Sequence, residues 1–306
     1  MTKEYKRTDG RKFDELRKIK AKVGIVPNAD GSAMYQSGDT IAIAAVYGPR
    51  KMHPQHQQDP EKGVLRCNYN MLSFSVTERI RPGPSRRSTE ISKITEWALE
   101  PVLMIDKYPN QVIDVHINII QADAGTRCAG INAAAMALAH AGIPMKRMVS
   151  SISLGKLDKT LVVDLTKEEE DYEGGEGSTD IPISMTDNGE LTHIQLDGKI
   201  TAKELKEVIT LAKKSVKNIY EIQKKAIAQK LGVNPSQISD KSASRFDFTT
   251  DEARITKALT PANVQILKNE LLPAPAPAKT AAPAPAAAPA QIKPTTPAVT
   301  PTASIT

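Results

Sequence analysis

Apolar positions along the chain change period several times, and each change marks a predicted element. The opening stretch of alternating character, AKVGIV, ends at the turn Asn28-Ala29-Asp30-Gly31; SAMYQ follows, and after Gly38-Asp39 comes the apolar TIAIAAVYG, so the first strands form a meander. RCNYNMLSFS reads as another strand. Beyond the loop at RPGPS the period lengthens, with Ile91, Ile94, Trp97, Ala98 and Leu99 at helical spacing, which predicts a helix with Trp97 in its core-facing stripe. VIDVHINIIQ is a strand that feeds a second helix rich in Ala, Met and Leu. Strands are predicted again at VSSISLG, TLVVDL, DIPISM and ELTHIQL, the last two joined by the hairpin turn Asp187-Asn188-Gly189. Thr201 and Glu204 form a capping box that opens a long amphipathic helix to about Leu231, with Leu205, Val208, Ala212, Val216, Ile219 and Ile227 on one face. The order of strands, helix, strand, helix, strands and helix predicts an α+β fold with mixed sheets rather than alternating doubly wound units.

Composition changes the picture at the C-terminus. From Pro273 onward the chain is Ala, Pro and Thr with nine prolines, no acid and only Lys279 and Lys293 as charges, which predicts an extended, mobile tail. Three regions follow: a folded body over 1–235, an appended segment over 236–272 with short helices at TTDEARITKAL and PANVQILKNELL, and the tail over 273–306. The net charge of +6 is only a mild hint of a polyanionic partner. Two unpatterned cysteines, Cys67 and Cys128, argue for a reducing compartment, and no segment approaches a membrane span, so the expectation is a cytoplasmic protein with no membrane contact.

Charge placement matters more than its sum. Gly125-Thr126 reads as a helix entry with Thr126 as cap, which puts Arg127 at the positive end of the helix dipole, where a cation costs about half a kcal/mol unless an anion is present. Arg86 and Arg87 repeat the misfit before a second helix, with Ser88 as its N-cap. Guanidinium forks and free backbone N–H groups together make a phosphate cradle. Solvated loop arginines are an even alternative for either helix alone; finding both favours function. The acidic stretch KEEEDYEGGEGSTD is by composition a solvated loop, but Asp180 opens the strand after it, and Asp171 is near enough in sequence to share a site. Carboxylates beside bound phosphate protonate a leaving oxygen or hold a divalent metal. No P-loop or dinucleotide fingerprint occurs, His53 and His56 read as a loop pair, and Cys128 reads as a small buried side chain.

RTDGRKFDELR, NADGSAMYQSGDTIAIAAVYGPR, PSRRSTEISK, IIQADAGTRCAGINAAAMALAHAGIPM and the acidic stretch ending TDIPISM together resemble the RNase PH-like catalytic subunits of the archaeal exosome, over roughly residues 4–231. The resemblance implies the RNase PH fold and a phosphorolytic 3′-to-5′ exoribonuclease with inorganic phosphate as co-substrate and Mg²⁺ as metal. It implies single-stranded RNA as substrate, a hexameric ring shared with a related non-catalytic RNase PH-like subunit, and RNA-binding cap subunits. Position by position, Gly125, Thr126 and Arg127 match the phosphate-binding turn, Arg86 and Arg87 the pair that grips RNA and phosphate, and Asp171 and Asp180 the two aspartates of catalysis and possible metal binding. Those aspartates stand nine residues apart here against six in the family, so Glu173 or Glu176 are alternatives to Asp171. Arg50, Lys51, His53 and His56 in YGPRKMHPQH form a wall of the RNA path on this reading, or a packing loop. A free-standing RNase PH that trims transfer-RNA ends and a catalytically silent ring subunit are the competing expectations.

Overall fold

Strict alternation of buried and half-exposed side chains builds the first sheet, most clearly in β3 (Thr40–Lys51), where Thr40, Ala42, Ala44 and Val46 point inward. The computed structural model describes residues 7–232 apart from 173, 175 and 176. The segments expected at 236–272 and 273–306 therefore lie outside the described residues, as do Glu173 and Glu176. Around β3 stand β1 (Ile19–Val23), β2 (Gly31–Ser37), β4 (Val64–Met71) and β5 (Gln111–Gln121), in the spatial order β1-β2-β3-β5-β4. The meander β1-β2-β3 and the β3–β5 pair are antiparallel, while β4 runs parallel to β5.

The edge strand β4 is covered by α1 (Arg86–Leu99). Two of its outward N–H groups are taken by that helix, Cys67 N donating to Glu96 Oε1 at 3.0 Å and Tyr69 N to Ser92 Oγ at 2.8 Å, which closes an edge open to strand addition. Ile91, Ile94, Ala98 and Leu99 form the buried stripe of α1, as their spacing predicts. Trp97 is a correction: it stands at the margin of that stripe, 53% exposed, with the Lys93 ammonium 5.9 Å above its ring.

Helix α2 (Thr126–His140) lies between the first sheet and a second one, and is apolar on every side because every side is covered. Its small residues permit the approach: a Cβ at Gly31 of β2 would stand 2.3 Å from the Ala137 carbonyl oxygen. The second sheet, in the order β7-β6-β8-β9, comprises β6 (Val149–Leu157), β7 (Thr160–Val163), β8 (Ser178–Thr186) and β9 (Leu191–Ile194), all antiparallel. Strand β6 is buried along its whole length, packed by α2 and by α4 (Ala202–Leu231), whose start carries the predicted Thr201–Glu204 capping box. A single helical turn, α3 (Lys167–Glu170), falls in the acidic stretch. One continuous core runs through both sheets, and the predicted mixed α+β fold is the observed one.

Candidate active site

The turn that enters α2 is fixed from β3. The Thr40 hydroxyl donates to the carbonyls of Asp123 and Ala124, at 2.8 and 2.7 Å, and accepts from Asp123 N at 2.9 Å. Gly125 is the N-cap residue at φ 61°, a left-handed conformation natural to glycine. Thr126, expected as the cap, is instead the first helical residue and buried, and no side chain caps this helix. The reason is positional: a cap must stand one residue before the helix, and the residue there has no side chain. Among the described residues no side chain claims the first-turn N–H groups of α2. At α1 the order is reversed. Ser85, not Ser88, is the cap, Ser88 completes a capping box, and Arg86 and Arg87 are the first two helical residues, both exposed.

Second-sheet residues complete the surroundings of Arg127. Its Nη1 donates to Gln195 Oε1, and Gln195 Nε2 donates to Glu90 Oε1 of α1 at 3.2 Å, so one amide spans the starts of both helices. His193 and Tyr69 also sense this charge. Burial, and then Arg127, push the His193 imidazole below its ordinary value; burial pushes the Tyr69 hydroxyl up, opposed first by a hydrogen bond with Thr126 and then by Arg87 and Arg127. Among the described residues, Arg127 Nε and His193 Nε2 are buried polar atoms with no hydrogen-bond partner, as expected where a polar ligand belongs.

Asp180 on β8 accepts from the Ser153 hydroxyl of β6 at 2.6 Å. Burial pushes its carboxyl above the usual range; the charges of Glu170 and Asp197 push the same way, against the Ser153 hydrogen bond and Arg127. A carboxyl so placed retains its proton more readily and suits a proton donor.

Asp171 does not meet Asp180 as its position in sequence suggested. Its side chain is 61% exposed and accepts from Lys167 Nζ at 2.7 Å. The acid of this turn whose charge acts on Asp180 is its neighbour Glu170, whose carbonyl accepts from Ser178 at 2.5 Å beside the start of β8. The whole turn is anchored from the N-terminus. Arg7, 3% exposed, grips the fully buried Glu169 with Nε and Nη2 at 2.8 and 2.9 Å, and Glu169 in turn closes a capping box with Thr166. Behind the α2 turn, Arg17 pairs with Asp164 at 2.7 Å and with Asp123 at 3.2 Å.

Arg50, Lys51, His53 and His56 are not brought to this cluster. Arg50 and Lys51 pair with Val112 and Gln111 at one end of the β3–β5 ladder, whereas Ile41 and Gln121 at the other end adjoin the α2 turn. The strand length puts roughly 30 Å between them. Arg50 stacks over Tyr47 and reaches Asp30 at 3.5 Å, and both histidines are exposed.

Gly125, Arg127 and Asp180, singled out in the sequence, stand in one neighbourhood in the fold, together with Gln195, Glu170, Ser153, Tyr69 and His193, which the sequence does not single out. Thr166-x-x-Glu169 is a readable capping box and Arg7 belongs to a recognised motif; nothing local marks Gln195. Among the described residues no group of three or more His, Cys, Asp or Glu side chains could enclose a metal. Glu170, whose charge acts on Asp180 and whose carboxylate also accepts from Lys167 Nζ at 3.3 Å, is a donor of the type that magnesium takes together with a substrate's own phosphates. Cys128 is an inert thiol, pushed up to about 12 by burial. No helix among the described residues is long and apolar enough to cross a membrane.

Residues 15–144 match the sequence model of the 3′ exoribonuclease family, domain 1, and residues 147–215 that of domain 2, so the two matches follow the two sheets. The chain is 50% identical over 226 residues to the exosome complex component Rrp41 of Thermococcus kodakarensis, covering 74% of this chain and 89% of that one. It is 46% identical over 237 residues to the Rrp41 of Methanosarcina mazei, covering 78% of this chain and spanning about half, 47%, of that longer protein. Among solved structures, rice Rrp46 superposes with a TM-score of 0.64 at 22% identity over 72% of this chain and 100% of that one. A chain from the Archaeoglobus fulgidus exosome with RNA bound to the active site gives 0.61 at 22% identity, over 71% and 92%. These last two likenesses concern the fold.

Proposed function

Because the chain belongs to the 3′ exoribonuclease (RNase PH) family, we propose that its site degrades RNA by phosphorolysis, with inorganic phosphate held at the start of α2 as the attacking group. It is a phosphate-dependent 3′-to-5′ exoribonuclease subunit of the archaeal exosome type, acting within a multi-subunit ring of RNase PH-like chains. The observation that carries the mechanism is the uncapped, half-buried α2 start, with Arg127 in its first turn and Asp180 within reach of the Arg127 charge.

A phosphate oxygen attacks the phosphorus of the terminal linkage, and the bond from that phosphorus to the neighbouring 3′-oxygen breaks. Asp180 gives the departing oxygen its proton, releasing a nucleoside 5′-diphosphate and an RNA one residue shorter with a free 3′-hydroxyl. The α2 start and Arg127 orient the nucleophile and offset negative charge on the equatorial oxygens, the main task in phosphoryl transfer. Mg²⁺, held by Glu170 and the substrate's own phosphates, would supply further charge neutralisation and leave Asp180 to carry the proton. Arg86 and Arg87 hold the RNA backbone, a contact that carries no base information. The assembly we propose alternates this chain with a related non-catalytic subunit under RNA-binding caps, with Arg50, Lys51, His53 and His56 lining the RNA path far from the chemistry. A cytoplasmic setting is supported by the two cysteines, both free and buried.

The test combines the chain with its ring partner and RNA, with and without phosphate. Diphosphate products that require phosphate are expected, and nucleoside diphosphates with Mg²⁺ should drive untemplated 3′ extension. Asp180→Asn should lower both directions by about 10²–10⁴-fold while RNA stays bound, since it removes the proton donor and keeps the shape. Monophosphate products, or full decay without phosphate, would overturn phosphorolysis.

A further inference from the structure

We infer that Gln195 is a positioning residue of the phosphate subsite: by accepting from Arg127 and donating to Glu90, it aims the Arg127 guanidinium at the nucleophile without neutralising it. This rests on the phosphorolytic reading above and adds a residue that no motif indicates.

Among the described residues Gln195 is the hydrogen-bond partner of the Arg127 side chain, through Nη1, and no carboxylate pairs with that guanidinium. Its Nε remains buried and unpartnered, so an arginine in the interior of the site depends on a single neutral acceptor for its orientation. The orientation of the amide is dictated by its two neighbours. A guanidinium only donates and a carboxylate only accepts, so the Gln195 oxygen must face Arg127 and its nitrogen Glu90, as found at 3.2 Å. Flipping the amide would set donor against donor and acceptor against acceptor. The backbone is fixed as well, Gln195 N donating to the Pro182 carbonyl at 3.1 Å, two residues along β8 from Asp180.

Neutrality is the functional point. Asp180 lies within reach of the Arg127 charge, and a carboxylate in the place of Gln195 would bind the guanidinium so well that phosphate would have to displace it. An amide holds the cation in place and leaves its charge for the ligand. Because Glu90 is on the same helix as Arg86 and Arg87, the link also sets the phosphate subsite in register with the RNA-gripping helix.

The experiment uses the assembled ring, with KM for phosphate, kcat and RNA retention measured for Gln195→Leu, Gln195→Glu, Arg127→Ala and the double variant Arg127→Ala/Gln195→Leu. Gln195→Leu should raise KM for phosphate by about tenfold, the loss of one charge-assisted hydrogen bond, with kcat and RNA retention little changed. Gln195→Glu should raise it further. The double variant should be no worse than Arg127→Ala alone, because a positioning residue has nothing left to position. An additive double variant, or an unchanged KM in Gln195→Leu, overturns the inference. Glu90→Leu, which frees the amide from the other side, should give a smaller rise in the same direction if Gln195→Leu fails to assemble; no rise there would count against the proposal equally. If Arg127→Ala itself leaves the phosphate requirement unchanged, the phosphorolytic reading fails too, whereas a high KM in Arg127→Ala with a normal one in Gln195→Leu defeats this inference alone.

Discussion

The two helices that meet at the site begin in opposite ways. Helix α1 starts at an exposed surface with a complete capping box, Ser85 and Ser88 each bonding the other's backbone, and carries its arginines as free side chains. Helix α2 starts at a half-buried turn with a left-handed glycine, no side-chain cap and one arginine tied to a neutral amide. A helix whose sequence satisfies its own first-turn donors has only side-chain charge to offer a ligand, and exposed charge is mobile and screened by salt. A helix that leaves those donors open, in a place water reaches poorly, offers fixed N–H groups as well. The arginines at α1 thus suit a long, variable polyanion, and the α2 turn suits a small anion that must be held in one orientation.

Several variants would break or sharpen this contrast. The largest effect should come from Asp164→Asn, which takes from the Arg17 guanidinium, buried behind the α2 turn, its closer and more buried carboxylate and leaves it only Asp123 at 3.2 Å. Losing one member of a buried pair costs about 3 kcal/mol, seen as a lower melting temperature. The pH dependence has a definite sign. Burial raises the Asp164 pKa, but the charge and hydrogen bonds of Arg17 outweigh it and hold the carboxyl below its ordinary value of 3.8. Its stabilisation is therefore complete above that value and is lost as pH falls through the folded one. Acid titration of wild type against Asp164→Asn checks this: the difference between the two should shrink below about pH 4, and a constant difference would refute the assignment.

Next in size, Arg127→Ala should raise KM for phosphate by about 10- to 100-fold, the worth of its charge-assisted bonds. Arg86→Ala/Arg87→Ala should instead weaken RNA retention and flatten its dependence on salt, as expected when phosphate contacts are removed. Equal effects of both changes on phosphate and on RNA would erase the distinction between the helix starts. Gly125→Ala adds a Cβ 3.3 Å from Arg17 Nη2 to a residue at φ 61°; a strain of about 1–2 kcal/mol should reduce phosphate affinity about tenfold. The smallest functional effect belongs to Ser85→Ala. It should lower stability by about 1 kcal/mol and leave KM for phosphate where it was, since that cap serves only its own helix.

What the sequence made legible was local. The Thr201–Glu204 box, the Asn188-Gly189 turn and the helix entry at Gly125 each depend on residues within four positions of one another, and each was found. Thr126 was misassigned by one position, because glycine is also an accepted cap and a threonine beside it looks the better one. The Asp171 and Glu170 exchange has a similar origin. Adjacent residues on a helical turn point about 100° apart, so a single step decides which acid acts on Asp180, although the Lys167 ammonium reaches both, Asp171 at 2.7 Å and Glu170 at 3.3 Å. Trp97 fell in the right stripe by spacing, yet spacing gives no width to the stripe, and a large ring at its margin remained outside. Gln195 was beyond reach for another reason. It lies 68 residues from Arg127, and only the pairing of β8 with β9 and the packing of both against the helices bring the two together.

Helix α2 is walled in by both sheets, and its small residues leave little room for adjustment. An enzyme that removes nucleotides singly from a 3′ end must meet each new terminus with the same arrangement, whatever base has just departed. A turn borne on a helix with freedom to tilt would have to be reassembled at every cycle, and part of each encounter would be lost to waiting. Here the entropy of ordering the nucleophile's seat is spent during folding. The repeated work of the site is reduced to exchanging its ligands at a turn already held in place from β3.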